Sequence, residues 1–279
     1  MPTAPARRVD VCRRERVPRW LKAWALLAVV AAMTFSIARL SRNSTIVPAG
    51  VFLGALAGPL AFAVWLTDRT RVGRSVAPDV LFGTWIVGGG AAILFAGVFE
   101  SPYFFDPAGP GYLWVALVEE IAKVLVPLTM YVVVRRLRSV PQALALAIAT
   151  AAGFATFESM AYALEALDES LGAARRVLFE RGIVTPFGHL PWTAIATVVA
   201  ARPWQADGQI RLTGRALWGL CAVITLHAAW NVALAQRGWW WCMAPVSALV
   251  TVVLFRRVVL AVRYEGPYVE PADRRSATP

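Results

Sequence analysis

The chain has 279 residues, of which 58% are hydrophobic and 16% charged, and its mean hydropathy is +0.57. This composition excludes an ordinary soluble domain and indicates an integral membrane protein. The formal net charge is +11. Its arginines are spread over tails and loops, which favours a membrane-topology signal over nucleic-acid binding, because the latter needs a basic patch on a folded face.

Eight apolar runs approach the ~20 residues that a membrane-spanning helix needs. The sequence therefore predicts an all-α fold, a polytopic transmembrane helix bundle of about eight spans. The first run also resembles a cleaved signal peptide, but its long basic leader and nearly full length favour a retained span. In chain order, the predicted spans are 22–38, 46–67, 80–99, 111–134, 142–166, 183–201, 212–235 and 239–262.

These spans predict one helical membrane domain, residues 20–263, between two tails. The tails, 1–19 and 264–279, are rich in Pro, Arg and small residues, and we expect them to be disordered. The connection 168–181 mixes apolar and charged residues, which predicts a short interfacial helix. The glycine run 88–90 lies mid-span and predicts close helix packing rather than a phosphate loop.

Loop charges predict the orientation of the bundle. Arginines are frequent in the N-terminal tail, in the second and fourth connections and after the last span, whereas the third connection (100–110) has no positive charge. Five arginines go against this pattern, namely Arg39, Arg42, Arg175, Arg176 and Arg181. The balance places both termini in the cytoplasm of a multi-pass cell-membrane protein. The bias towards alanine and arginine favours a bacterial source.

Four spans carry acids or histidines inside apolar sequence, where a charge costs roughly 2.5–3.5 kcal/mol on insertion scales. These residues are Glu119 and Glu120, Glu158, His189 and His227. Counted inward from the predicted outer ends at 1.5 Å per residue, all four positions lie roughly 9–14 Å deep. This shared depth predicts one site that opens towards the outer leaflet.

Each of these groups has a polar neighbour one helical turn away. Lys123 lies three residues after Glu120 and four after Glu119, so it can neutralise one acid and leave the other for acid–base chemistry. The remaining pairs are Glu158 with Tyr162, His189 with Thr193, and His227 with Asn231. Taken alone, each pair also fits a structural role in helix packing.

Several chemistries lack their motifs in this sequence. The chain has no HExxH segment of a zincin, no Asp pair within a span, and no G-x-S-x-G around Ser159. A proton-coupled transporter would also bury Glu, His and Lys in spans, but we find no pair of related halves with broken helices. Glutamate and histidine remain as the working groups.

Four segments resemble the motif series of the PrsW family, in the same order and on successive helices. They are VEEIAK (118–123), GFATFESMAY (153–162), HLPWT (189–193) and HAAWN (227–231). The resemblance covers about residues 80–262, and in one departure Ser159 stands where the family usually has Asn. The PrsW family belongs with the CPBP glutamic intramembrane proteases, alongside type 2 CAAX prenyl proteases.

The resemblance implies a membrane-embedded endopeptidase that starts regulated proteolysis of single-pass membrane proteins, such as anti-sigma factors, on the extracytoplasmic side. It implies that one acid, by analogy Glu119, activates water with the help of a histidine while the other pairs with Lys123. A tetrahedral oxyanion would be stabilised by His227 and Asn231. The implied catalytic residues are Glu119, Glu120, Glu158, His189, His227 and Asn231, with Lys123, Tyr162 and Thr193 in support.

We expect no cofactor. The alternative is a zinc site, because two histidines and a carboxylate are a recognised zinc set, and its ligands would be Glu158, His189 and His227. A non-catalytic membrane scaffold of the same superfamily also remains open, although the chain keeps every position of the acid–histidine set. The expected partners are the lipid bilayer and a membrane-protein substrate.

Overall fold

The computed structural model describes residues 17–100, 110–134, 139–207, 213–235 and 240–264. These ranges are helical and contain no strand, so the all-α prediction is confirmed. The described α-helices are α1 (Arg19–Ser41), α2 (Val47–Thr70), α3 (Pro78–Gly83), α4 (Gly89–Glu100), α5 (Pro110–Val133), α6 (Val140–Ala166), α7 (Leu171–Asp207), α8 (Gly214–Ala235) and α9 (Trp240–Tyr264).

Seven helical segments of the described chain are long and apolar enough to cross a membrane. One of them, Pro78–Glu100, joins α3 and α4 through the π-helical turn Thr84–Gly88. Helix α5 has 24 residues and occupies the remaining predicted span, but it carries three charged side chains in apolar sequence, those of Glu119, Glu120 and Lys123. The chain is a multi-pass membrane protein with a polytopic helix bundle.

Residues 171–181 are helical, as predicted, but they do not form a separate short helix. Helix α7 begins at Leu171 and continues as one helix of 37 residues to Asp207. Hydropathy alone does not reveal its start, because Arg175, Arg176 and Arg181 interrupt the apolar sequence. As a result, Arg181 lies on the same helix as His189, about two turns before it.

Some predictions fall outside the described residues. The tails lie beyond them except for their inner ends, and so do the third connection and the arginines of the fourth. The orientation of the bundle therefore stays a prediction.

Helices α6 and α7 form the centre of the bundle. In an apolar stretch of 18 residues, 78% of the residues are buried in α6 and 72% in α7, compared with 17% in α1. Helix α6 is rich in alanine, which allows α2, α4, α5 and α7 to pack against it. The two innermost helices each carry one of the predicted acids and histidines, Glu158 on α6 and His189 on α7.

A glycine contact sets how closely α6 approaches the α3–α4 span. A Cβ added at Gly153 would lie 3.0 Å from Gly89 Cα and would collide with the Trp85 carbonyl oxygen. The prediction of close packing for the glycine run 88–90 is therefore confirmed at Gly89. Glu158 follows Gly153 by little more than one turn, so this contact also positions the acid of α6.

Candidate active site

Four helices bring the predicted acids and histidines into one buried cluster. Helix α5 contributes Glu119 and Glu120, α6 contributes Glu158, α7 contributes His189 and α8 contributes His227. Each of these residues is at most 9% exposed. Buried charges need close partners of opposite sign, so the contacts within the cluster determine which group does what.

Lys123 supplies the central positive charge. Its Nζ atom lies 2.7 Å from Glu120 Oε1 and 3.2 Å from Glu119 Oε2. The same atom lies 2.8 Å from His189 Nδ1 and 4.6 Å from the ring centroid of Phe154. The ammonium is thus surrounded by two carboxylates, an imidazole nitrogen and an aromatic face, and it is completely buried.

His227 links both acids of α5. Its Nδ1 lies 2.9 Å from Glu120 Oε1, and its Nε2 lies 3.7 Å from Glu119 Oε2. We assign the proton of Nδ1 to the bond with the Glu120 carboxylate, which directs Nε2 towards Glu119. The indole of Trp192 stacks on the His227 imidazole, with the ring centroids 4.9 Å apart. The indole Nε1 donates to Thr251 Oγ1 at 2.9 Å.

His189 is held from both sides. Its Nδ1 accepts from the Lys123 ammonium, because an ammonium can only donate. The ring proton therefore belongs on Nε2, which lies 3.1 Å from Glu158 Oε2. The rings of His189 and His227 are nearly perpendicular, at 86°, with their centroids 5.4 Å apart.

A cavity of about 690 Å³ exposes one side of this cluster. It lies between the start of α5, the ends of α4, α6 and α8, and the first half of α7, which are the helix ends that the loop charges predict to be outside. Glu120 and Lys123 are fully buried in the cluster. The predicted site residues that line the cavity are Glu119, Glu158, Tyr162, His189, His227 and Asn231.

Thr193 takes no part in the polar contacts. It is fully buried, and its hydroxyl has no hydrogen-bond partner among the described residues. The anticipated pairing with His189 is absent because both ring nitrogens of that histidine already face other groups. The second supporting residue, Tyr162, is 44% exposed at the mouth of the cavity.

A comparison with known protein families matches residues 76–259 to the PrsW family, described as intramembrane metalloproteases. The match spans about two thirds of the chain and contains the whole cluster. The chain belongs to the PrsW family. It therefore carries an intramembrane protease domain. A comparison with curated proteins found no match.

Arg181 and Glu100 are among the cavity residues that the sequence analysis did not place in the site. Arg181 Nη2 lies 2.5 Å from Glu158 Oε2, and Glu100 lines the cavity with a buried Oε1 that has no hydrogen-bond partner among the described residues. Helical spacing could have revealed Arg181, since Arg181, Thr185 and His189 follow one another at intervals of four residues and all three line the cavity.

The PrsW family is described as metalloproteases, so the side chains of this cluster are compared with the ligands that a metal ion needs. Glu119, His189 and His227 can offer ligand atoms within 4.8 Å of one another, so this triple differs from the set named from sequence by having Glu119 in place of Glu158. The donor types suit zinc. Their arrangement does not suit zinc, because the Lys123 ammonium lies against both Glu119 and His189. The other nitrogen of His189 faces Glu158.

Proposed function

We propose that this PrsW-family chain is a glutamate-dependent, metal-free intramembrane endopeptidase. The observation that supports this most directly is the position of Glu119, whose carboxylate lines the cavity with Oε2 3.7 Å from His227 Nε2. A water molecule can contact both atoms at hydrogen-bonding distance. A carboxylate and an imidazole that share one water are a suitable pair for activating it.

The contacts of the two adjacent acids support different roles. Glu120 is fully buried, and its Oε1 is engaged by Lys123 at 2.7 Å and by His227 at 2.9 Å. Glu119 has a longer contact with Lys123, 3.2 Å, and faces the cavity. We therefore assign Glu119 as the general base and Glu120 as the residue that orients Lys123 and His227.

The charges of the cluster agree with a proton-accepting role. With neutral histidines, the carboxylates of Glu119, Glu120 and Glu158 exceed the cations Lys123 and Arg181 by one negative charge. The cluster therefore has one acid that a cation does not balance. Glu119 is the member that can receive a proton from a cavity water.

In the proposed reaction, Glu119 removes a proton from water, and the resulting hydroxide attacks the peptide carbonyl carbon. Asn231 lines the cavity on α8, and its side-chain amide is assigned to donate to the carbonyl oxygen as it becomes an oxyanion, while the unprotonated Nε2 of His227 accepts from the attacking water. Collapse of the tetrahedral intermediate breaks the C–N bond, and the proton held by Glu119 passes to the departing amine. The acid is then restored for another cycle.

The proposed substrates are single-pass membrane proteins, including anti-sigma factors, cut near the outer ends of their spans. The resemblance implies this class, and the position of the cavity at the helix ends that we expect outside is consistent with it. Such a cavity is within reach of a substrate helix that approaches through the bilayer.

The test compares wild type with Glu119→Gln in liposomes that contain the single-pass membrane proteins of the host. New N-termini are then mapped by mass spectrometry. Glu169→Gln is the matched control, since it alters an exposed acid just after α6. Cuts that occur with wild type and the control but not with Glu119→Gln would support the proposal. Identical peptide maps for folded, correctly oriented wild type and Glu119→Gln would overturn it.

A further inference from the structure

Arg181 is a cation of the cavity wall that binds three side chains of one neighbouring helix. In addition to its ion pair with Glu158, its Nε donates to Ser159 Oγ at 3.3 Å. Its guanidinium carbon lies 4.3 Å from the ring centroid of Tyr162. Its side chain is 22% exposed, so Arg181 is held against the last turns of α6 instead of extending into solvent.

Glu158 connects Arg181 to the centre of the cluster. Its Oε2 atom is shared between Arg181 Nη2 at 2.5 Å and His189 Nε2 at 3.1 Å. The opposite nitrogen of His189 contacts Lys123, which in turn binds Glu119. A continuous series of polar contacts therefore leads from the cavity wall to the proposed base.

We propose that Arg181 is a positioning residue of this protease. By fixing the carboxylate of Glu158, it fixes the ring orientation and tautomer of His189, and through His189 the position of the Lys123 ammonium. Ser159 contributes by accepting from Arg181 Nε, so the guanidinium approaches Glu158 in one orientation. The inference rests on the proposed function, because positioning has consequences for rate only if Glu119 performs the chemistry.

The kinetic test uses Arg181→Gln, Arg181→Lys and the matched control Arg176→Gln, which removes an exposed arginine of the same helix. The assay uses the first substrate span identified by N-terminal mapping. We expect Arg181→Gln to lower kcat about 10–100-fold with KM nearly unchanged, the range found when a residue that orients a metal-bound histidine is removed. Arg181→Lys should restore part of the rate, and Arg176→Gln should behave as wild type.

A double-mutant cycle tests the route of the effect. If Arg181 acts through Glu158, Arg181→Gln should cost little further activity in a Glu158→Gln background. Additive losses would overturn the proposal, and so would a rise in KM with kcat unchanged, since that result would mean that Arg181 contacts the substrate directly.

A spectroscopic test is independent of proteolysis. The chain has two histidines, so NMR of isotopically labelled histidine in detergent, with a purification tag that lacks histidine, reports on two imidazoles. His227→Ala assigns the signals. Arg181→Gln should change the nitrogen signals of His189, whereas Arg176→Gln should leave both rings unchanged.

Unchanged His189 signals in folded Arg181→Gln would overturn the inference. If that variant does not fold, Ser159→Ala carries the same measurement, because it removes the acceptor that orients the guanidinium, and a wild-type His189 signal in Ser159→Ala would overturn the inference too. Absence of any cleavage by wild type would count against the proposed function, while the NMR result would still decide whether Arg181 positions His189.

Discussion

Glu120 and His227 are joined by a 2.9 Å hydrogen bond between Oε1 and Nδ1, although 107 residues separate them in the chain. This bond turns His227 Nε2 towards Glu119 Oε2, the neighbouring acid of the same helix. Two adjacent glutamates therefore occupy different environments. One is enclosed by its partners, and the other faces the cavity.

This difference predicts separate effects for the two acids. Glu119→Gln should reduce cleavage by about 10²–10⁴-fold, the usual contribution of a general base, with little change in the unfolding midpoint. Glu120→Gln should lower the midpoint clearly, because the buried Lys123 loses its 2.7 Å partner, and breaking a buried ion pair costs about 3–5 kcal/mol. Cleavage rates and thermal unfolding in one detergent measure both effects. Equal destabilisation by the two substitutions would contradict this assignment.

Metal dependence gives a second prediction. Since the Lys123 ammonium contacts two of the three groups that could ligate zinc, a chelator should leave the cleavage rate unchanged. Elemental analysis of active protein should find far less than one metal ion per chain. One zinc ion per chain, together with activity that is lost on chelation and regained on adding zinc, would overturn the metal-free proposal.

The contact between Trp192 and Thr251 gives a third prediction. Trp192 stacks on His227 and donates to Thr251 Oγ1 of α9, so Thr251→Val frees the indole that supports the catalytic imidazole. We expect a loss of about 0.6 kcal/mol in stability, the average for hydrogen bonds between membrane helices, and a several-fold lower kcat. The control is Thr225→Val, which removes an exposed hydroxyl bonded within its own helix. A wild-type kcat for Thr251→Val would show that Trp192 does not depend on this bond.

Much of the architecture could be predicted from local sequence. The seventh predicted span, 212–235, differs by two residues from α8, Gly214–Ala235, because a continuous apolar run marks its length. The depth argument brought Glu120, Glu158, His189 and His227 together, since a polar group within a membrane needs polar partners at its own level.

The features that the sequence did not reveal depend on the rotation of each helix about its axis and on contacts between residues distant in the chain. Successive residues of a helix point about 100° apart, so sequence alone does not show that Glu119 faces the cavity while Glu120 faces Lys123 and His227. The bond from Trp192 to Thr251 joins helices α7 and α9, and no local pattern indicates it. The start of α7 was missed for a different reason, because its charged residues lie along the cavity and the adjacent surface instead of in a loop.

The glycine contact beneath the site gives the fourth prediction. In Gly153→Ala the new Cβ would collide with the Trp85 carbonyl oxygen, and backbone atoms cannot rotate away as a flexible side chain can. Helix α6 must then move from the α3–α4 span, and Glu158 moves with it. We expect a loss of about 1–3 kcal/mol in stability, as is typical of overpacked sites, and a larger loss in cleavage than unfolding alone explains.

Gly97→Ala is the control, because nothing lies within 4 Å of a Cβ at that position. Thermal unfolding and the cleavage rate of both variants, measured at a temperature where both are folded, test the argument. Wild-type stability and activity of Gly153→Ala would show that the helices can separate without displacing Glu158 from His189.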